Sequence, residues 1–205
     1  MTYFLPGMGA DGSMYSGAWR TLADAVFVDW PRYQGETRIG DVAQKIVEER
    51  GIKDGDTVVG ASLGGMVACE VAGIVKLQNL ILIGGVCHPD EINGLLKLFH
   101  PLARLAPLEF IQGLSGKVPG ELARMFVGVN AEFVRAMCFA VFEWEGLRKG
   151  LIAPIRIHGE ADLVVPLPER VDKILEGGHL ISMTHARECV DWLIERKLAE
   201  RNTTD

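Results

Sequence analysis

The sequence has little of what marks nucleic-acid-binding and membrane-spanning proteins. Lys and Arg number 21 against 27 Asp and Glu, a net charge of −6, and no basic run is long enough to neutralise a row of phosphates. The most apolar stretch, residues 58–75, is interrupted by Ser62, Glu70 and several glycines, which excludes a transmembrane span there. We therefore expect neither a nucleic-acid partner nor a membrane span.

Cysteines are also few, and no two of them form the C-x-x-C pair found in zinc and redox sites. They lie far apart in apolar stretches, which favours buried free thiols. The amino terminus reaches Pro6 and Gly7 after five residues, which leaves no room for a leader peptide. We accordingly expect a chain that is not exported and works in the cytoplasm. The cysteines are Cys69, Cys87, Cys138 and Cys189.

What the sequence does contain is an alternation of short apolar runs and helical patterns. Its 205 residues, 48% hydrophobic and 23% charged, suffice for one globular domain with a sizeable core. Six runs rich in Val and Ile and bounded by Gly, Asp or Pro are typical of strands buried on both faces. The sequence thus predicts an α/β fold with a mostly parallel sheet of about six strands flanked by helices. The runs are residues 2–5, 25–29, 57–61, 80–83, 155–158 and 173–175.

Three helices follow from the spacing of apolar residues. Such residues recur at helical spacing over 42–47, are nearly continuous over 66–75, and form one stripe over 186–198. A helix that is apolar nearly all round is typical of one packed centrally on a sheet. We therefore place the second of these helices against the middle of the predicted sheet.

One long segment, residues 88–150, breaks the alternation. It has no clear strand, and prolines and glycines divide its apolar helical patterns into several short helices. We predict a helical cap inserted after the strand at about residues 80–84. The predicted domains are a core formed by residues 1–86 and 151–205, and a cap formed by residues 87–150.

A G-x-S-x-G motif at Gly60–Gly64 carries the clearest chemical signal. It follows an apolar run and precedes an apolar helical pattern, the context in which a serine sits on a sharp turn between strand and helix. Small flanking residues permit that strained turn, and the helix amino terminus lies beside any oxyanion that forms there. The motif predicts Ser62 as a nucleophile; a glycine-rich packing turn is the alternative.

A nucleophilic serine needs a base and an orienting acid, which in this arrangement follow it as Asp or Glu and then His. Asp162 comes just after the fifth apolar run, at the carboxyl end where open α/β sheets place their sites, and His179 follows the sixth. We predict Asp162 as the acid and His179 as the base. Glu160 is the alternative acid and His185 the alternative base, while His158, which ends the fifth run, is expected to be structural.

Two backbone N–H groups are candidates for an oxyanion hole. Leu63 follows the nucleophile, and the loop after the first run contains Gly7 and Gly9, which let the backbone approach a substrate closely. We predict the N–H groups of Met8 and Leu63 as the two donors. A phosphate-binding loop is the alternative for residues 5–11, but they lack the dinucleotide fingerprint and the Lys-Ser/Thr of a P-loop.

Together these motifs resemble those of the α/β-hydrolase superfamily. Residues 6–9 resemble its oxyanion loop, with proline where histidine is usual, and residues 29–35 resemble its Asp-x-Pro-Gly-x-Gly turn. The serine motif at 60–64, the acid in 158–162 and the base in Gly178-His179 match in order and in placement after strands. In combination these motifs are specific for the superfamily, whereas of the single motifs only the serine motif at 60–64 is specific.

The resemblance covers about residues 2–85 and 153–198 and implies an α/β-hydrolase fold with a cap between these parts. It implies that the chain begins at the family's third strand, without the usual amino-terminal hairpin. It also implies that the helix between acid and base is reduced to about a turn at 166–170. Serine at position 62 excludes the halide-displacing and epoxide-opening activities, because those relatives use aspartate as nucleophile.

The sequence therefore predicts a serine hydrolase of the esterase type. Ser62 would attack a small to medium, apolar carboxylic ester, or a thioester, lactone or amide, and form an acyl-enzyme with no metal or organic cofactor. Apolar side chains of the cap either pack on the core or line the pocket for this small-molecule substrate. The alternatives are a small-molecule-binding or signalling protein with little turnover, and an acyltransferase. The oligomeric state stays open.

Overall fold

The computed structural model of the protein describes residues 1–92 and 130–202, and a six-stranded sheet lies at its centre. All neighbouring strands are parallel, in the order β2-β1-β3-β4-β5-β6. The predicted parallel sheet is confirmed, and strand bounds differ from the predicted runs by two residues at most. The strands are β1 (Thr2–Leu5), β2 (Ala25–Phe27), β3 (Thr57–Ala61), β4 (Asn79–Ile83), β5 (Ile155–Gly159) and β6 (Lys173–Leu175).

The inner strands are buried and the edge strands are not. β3 is buried at every residue, and β1, β4 and β5 are buried except at their first residue, as expected for strands covered on both faces. β2 is only half-buried, and Ile174 in β6 is exposed. The expectation that all six runs are buried on both faces is wrong for these two, because each has a paired strand on one side only.

Helices cover both faces of the sheet. Leu5 belongs to a core cluster with side chains of α1, α2 and α3, whereas its neighbour Phe4 belongs to a second cluster with Trp19 and side chains of α5. Successive residues of a strand point to opposite faces, so the two clusters are the two layers beside the sheet. The helices are α1 (Ile39–Arg50), α2 (Leu63–Val71), α3 (Ala131–Glu143), α4 (Ile181–Thr184) and α5 (Ala186–Glu195).

The three predicted core helices are present, with different ends. α1 includes the predicted residues 42–47. α2 starts at Leu63, three residues before the predicted apolar stretch at 66–75. α2 is buried at all but one of its residues, which confirms its central position. α5 ends at Glu195, so Leu198 of the predicted stripe lies beyond the helix. The short helix α4 was not predicted.

Only part of the predicted cap can be compared with the structure. Positions 93–129 lie outside the described residues, and the 3-10 turn Pro89–Glu91 precedes them. α3 follows them and begins where the side chain of Asn130 accepts hydrogen bonds from the N–H groups of Glu132 and Phe133, at 2.9 and 3.1 Å. The division into core and cap stays a prediction. Within residues 1–92 and 130–202, no helix is long and apolar enough to cross a membrane.

Candidate active site

Ser62 occupies a sharp turn between β3 and α2. Its backbone has φ 51° and ψ −116°, a conformation that costs energy for a residue with a side chain. The flanking glycines make the turn possible: a Cβ at Gly60 would lie 2.2 Å from the Gly64 carbonyl oxygen. A Cβ at Gly64 would lie 2.5 Å from the carbonyl oxygens of Leu5 and Pro6. The backbone therefore requires glycine at both positions of the motif.

The structure brings together the three side chains that the sequence singled out. His179 Nε2 lies 2.8 Å from Ser62 Oγ, and His179 Nδ1 lies 2.8 Å from Asp162 Oδ2. A carboxylate can only accept, so Nδ1 carries the proton and Nε2 is left to accept the proton of the serine hydroxyl. The side chain of His179 is 8% exposed, and Ser62 is partly exposed beside it. This arrangement matches a nucleophile, a base and an acid in series.

Asp162 is buried and fully hydrogen-bonded. Its Oδ1 accepts from the N–H groups of Val164 and Val165, each at 2.9 Å, while Oδ2 accepts from His179. Burial alone would raise the pKa of Asp162, but the hydrogen bonds from His158, His179 and Val165 and the charge that His179 can carry hold it well below its usual range. The carboxyl therefore stays ionised and keeps the imidazole in one tautomer and one orientation.

His158 is a buried neighbour of Asp162. Its side chain is fully buried, and its Nε2 lies 2.9 Å from the carbonyl oxygen of Val165 and 3.4 Å from Asp162 Oδ2. Because both oxygens only accept, Nε2 carries the proton, and Nδ1 has no hydrogen-bond partner among the residues described. His158 has the structural place expected for it. Its proximity to the acid was missed, although a histidine four residues before Asp162 was a usable signal.

The alternative acid and base lie elsewhere in the structure. Glu160 is exposed, and His185 stands at the start of α5 with its Nδ1 2.8 Å from Thr184 Oγ1. Asp191 in α5 forms an ion pair with Arg201. Asp162 and His179, and not these alternatives, are thus hydrogen-bonded in series to Ser62.

The segment between acid and base differs from the expectation. Residues 166–170 were expected to form about one helical turn, but they contain no helix and one bend, at Glu169. Pro166 and Pro168 lack an N–H and push the residue before each of them towards extended backbone, which prevents the turn. The chain still returns through β6 to the sheet edge, and so His179 reaches Ser62.

The loop after β1 carries the first candidate oxyanion donor. Its turn is closed by the N–H of Ala10, which donates to the Gly7 carbonyl oxygen at 3.1 Å, and Gly9 has φ 75°, which favours glycine. A Cβ at Gly7 would be 3.7 Å from Ser62 Cβ, so the loop lies against the serine. The N–H of Met8 has no hydrogen-bond partner in the part of the chain that the structure describes.

The second candidate donor is the first residue of α2. Leu63 follows the serine directly, and the first N–H groups of a helix have no partner within it. None of the described residues accepts a hydrogen bond from the Leu63 N–H. Together with the positive end of the helix dipole, this places partial positive charge beside Ser62 Oγ.

Three side chains that sequence reasoning missed hold the candidate oxyanion loop, residues 5–11, in place. The Tyr15 hydroxyl donates to the Leu5 carbonyl at 2.7 Å, and the Gly7 N–H donates to Met14 Sδ at 3.3 Å. The Trp30 indole N–H donates to the Gly7 carbonyl at 3.2 Å. Burial raises the pKa of the Tyr15 phenol, which therefore stays a neutral donor. Of the three, only Trp30 had a sequence signal, because it lies in the Asp29-Trp30-Pro31 segment that resembles a family turn.

The surroundings of the loop are apolar. Met8 Sδ lies 3.6 Å from Cys138 Sγ of α3, and the Trp30 ring packs on Phe133 with centroids 5.3 Å apart.

A separate groove of about 580 Å³ does not include the candidate catalytic side chains: Ser62, Asp162 and His179 do not line it. It is lined by residues 90–92, Arg156 and residues 166–170. Within the described residues, no group of three or more His, Cys, Asp or Glu could hold a metal ion.

Comparison with solved structures identifies proteins of the same fold. A thermophilic esterase from Thermogutta terrifontis superposes with a TM-score of 0.74 at 18% identity, covering 97% of this chain and 90% of that one. The enol-lactonase from Burkholderia xenovorans LB400 gives 0.72 at 15% identity, covering 95% and 89%. The type II thioesterase BorB of the borrelidin biosynthetic cluster gives 0.64 at 18% identity, covering 95% and 89%.

Similarity at these identities establishes the fold, and no curated protein sequence matches the chain with significance. A family model described as the alpha/beta hydrolase family, however, matches residues 3–192, which is most of the chain. The predicted resemblance is confirmed, and the chain belongs to the alpha/beta hydrolase family.

Proposed function

We propose that the protein is a serine hydrolase that cleaves a small to medium, apolar carboxylic ester through an acyl-enzyme on Ser62. The observation that carries this proposal is the chain of two 2.8 Å hydrogen bonds from Ser62 through His179 to Asp162. A serine hydroxyl is a weak nucleophile unless a base takes its proton as it attacks, and this geometry supplies that base.

Acylation begins when Ser62 Oγ attacks the ester carbonyl carbon while its proton passes to His179 Nε2. The carbonyl oxygen becomes an oxyanion, which accepts hydrogen bonds from the N–H groups of Met8 and Leu63. The ester C–O bond then breaks, and His179 gives its proton to the departing alkoxide, which leaves as an alcohol. Asp162 remains ionised and stabilises the charged imidazole.

Deacylation repeats these steps with water as the nucleophile. His179 Nε2 takes a proton from the water as its oxygen attacks the acyl carbon, and the same two N–H groups hold the second oxyanion. The bond from the acyl carbon to Ser62 Oγ then breaks, and the proton on His179 returns to the serine. The carboxylic acid product leaves, and the enzyme is restored.

The apolar nature of the substrate is proposed from the side chains beside the oxyanion loop. Met8, Trp30, Phe133 and Cys138 present carbon and sulfur there, and burial raises the pKa of the Cys138 thiol, so this surface carries no anion. Such a surface suits an alkyl or aryl group better than a charged one. The similar structures include an esterase, a lactonase and a thioesterase, so thioesters and lactones are the next substrates to test.

Two other functions use the same fold. A binding or signalling protein with little turnover would not need a serine, a base and an acid in hydrogen-bond contact, and here all three are. An acyltransferase would pass the acyl group to an alcohol or amine instead of water. The structure favours the hydrolase over the binding protein, and product analysis separates the hydrolase from the transferase.

The test is a chain-length series of p-nitrophenyl esters with matched thioesters and lactones, followed by identification of the acyl product. We expect an initial burst of nitrophenol and free carboxylic acid as product, and Ser62→Ala to lower kcat at least ~10⁴-fold. Ser16→Ala is the matched control, because Ser16 is exposed and its side chain caps no helix. Turnover that survives Ser62→Ala would contradict the proposal.

A further inference from the structure

We infer that Trp30 is a positioning residue that holds the oxyanion hole in its working orientation. The inference rests on the proposed function, since it concerns how the N–H of Met8 meets the oxyanion. Trp30 takes no part in the bonds that form and break in the proposed reaction. It acts through the peptide group that joins Gly7 to Met8.

Two hydrogen bonds fix the orientation of that peptide. The Gly7 carbonyl accepts two hydrogen bonds, from Trp30 Nε1 at 3.2 Å and from the N–H of Ala10 at 3.1 Å. The carbonyl of Gly7 and the N–H of Met8 belong to one planar trans peptide, in which they point in opposite directions. Two donors that fix the direction of the carbonyl therefore also fix the direction of the Met8 N–H.

Trp30 is itself held firmly enough to do this. Pro31 restricts the backbone of Trp30 to extended conformations, and the Val28 N–H donates to the Phe4 carbonyl at 2.9 Å. On the other side, Asp29 Oδ1 accepts a hydrogen bond from the N–H of Gly12 at 2.9 Å. The indole ring is also packed against Phe133. The segment is thus tied to β1, to the oxyanion loop and to α3.

The two donors also change the strength of the Met8 N–H as a donor. Hydrogen bonds to a carbonyl polarise its peptide, so that the N–H of the same peptide becomes a better donor. That gain is largest when a full negative charge develops on the substrate oxygen, which happens only in the transition state and the tetrahedral intermediate. Loss of the Trp30 N–H should therefore lower kcat and leave KM nearly unchanged.

The test uses Trp30→Phe, which keeps an aromatic ring against Phe133 and removes the indole N–H. Removal of a whole oxyanion donor lowers kcat ~10²–10³-fold, so the loss of a group that orients one donor should cost about 10-fold. Trp144→Phe is the matched control, because its indole N–H donates to Glu70 Oε1 at 2.7 Å and so makes a bond of the same kind. We expect the control to change kcat less than 2-fold.

A second readout separates positioning from a general loss of structure. An alkyl trifluoromethyl ketone labelled with ¹³C at its carbonyl should add to Ser62 and form a hemiketal. The ionisation of this hemiketal is followed by the chemical shift of the labelled carbon as the pH is changed. If Trp30 supports the oxyanion hole, the pKa of that hemiketal should lie about one pH unit higher in Trp30→Phe than in wild type, matching the 10-fold loss in kcat. A purely structural role of Trp30 would lower the melting temperature without moving this pKa.

A subtler variant covers the case in which Trp30→Phe does not fold. Site-specific replacement of Trp30 by 3-benzothienylalanine keeps the size and shape of the ring and replaces only the N–H by sulfur. The inference is overturned if the folded variant has the kcat and the hemiketal pKa of wild type. If wild type hydrolyses no ester and forms no adduct, the proposed function fails first, and the inference fails with it.

Discussion

The sharpest prediction concerns Gly64, where α2 packs against the oxyanion loop. A Cβ added at Gly64 would lie 2.5 Å from the carbonyl oxygens of both Leu5 and Pro6. The neighbouring Gly65 offers the matched control, because a Cβ there would have its nearest contacts at 3.4 Å, an ordinary van der Waals distance. Both residues lie in α2 and neither has a positive φ. Gly64→Ala and Gly65→Ala therefore differ only in the clash.

The magnitude follows from that difference. Each substitution gains about 1 kcal/mol of helix propensity, which cancels when the two variants are compared. To relieve contacts at 2.5 Å, the helix or the loop must shift by 3.4 − 2.5, roughly 0.9 Å, and overpacking of this kind costs ~1–3 kcal/mol. We expect Gly64→Ala to be less stable than Gly65→Ala by that amount, or ~2–12 °C lower in melting temperature at ~2–4 °C per kcal/mol for a chain of this size.

The assay is urea unfolding of both variants, together with ester hydrolysis by the folded enzymes. Because displacement of a catalytic group by about 1 Å can cost ~100-fold in rate, the folded Gly64→Ala variant should hydrolyse esters ~100-fold more slowly than Gly65→Ala. Equal stability and equal rates for the two variants would refute the reasoning, because the close packing of helix on loop would then not constrain the site.

Four further predictions concern the acid, a buried hydroxyl and a thiol. Asp162→Asn should lower kcat ~10⁴-fold at neutral pH by favouring the wrong tautomer of His179, and unchanged kcat would contradict this. The pKa of Asp162 is lower in the folded than in the unfolded protein, so its hydrogen bonds stabilise the fold above about pH 4 and this stabilisation is lost as the pH falls. The free energies of unfolding of wild type and Asp162→Asn, measured in urea, should therefore become equal in acid. Tyr15→Phe should lower the free energy of unfolding by ~1–3 kcal/mol, since it leaves the buried Leu5 carbonyl without that donor. Partial burial raises the pKa of Cys87 to about 11, so it should react with a disulfide reagent at pH 8 far more slowly than after unfolding, and equal rates would contradict that raised pKa.

Much of the fold was predictable because its signals are local. β3, the turn at Ser62 and α2 follow from an apolar run, small residues and a second apolar run within 15 positions. The exposure of the edge strands was not predictable, because β2 is apolar throughout and β6 is apolar at two of its three positions, as inner strands can be. Their exposure depends on their place in the sheet, which is set by the order of strands and not by any run of residues.

Some residues of the candidate site could likewise be predicted from the sequence, and others could not. Asp162 and His179 could be predicted because each follows a strand and parallel strands end at one edge of a sheet. The contacts of Tyr15 and Trp30 could not, since each joins segments that are separated along the chain and depends on the direction of one side chain. The contact of His158 with Asp162 was missed although only four positions separate the two residues. The absence of a helical turn between acid and base could have been predicted from Pro166 and Pro168.

The measurement that tests the central claim most directly is labelling of the purified protein with a fluorophosphonate, mapped by mass spectrometry. The reagent phosphonylates an activated serine and needs no knowledge of the substrate. We predict one modified residue, Ser62, with labelling abolished in Ser62→Ala and slowed at least ~10³-fold in His179→Ala, because the hydroxyl then lacks its base. A folded wild-type protein that stays unlabelled, or that is labelled at another serine, would contradict the claim that Ser62 and His179 form a working nucleophile and base.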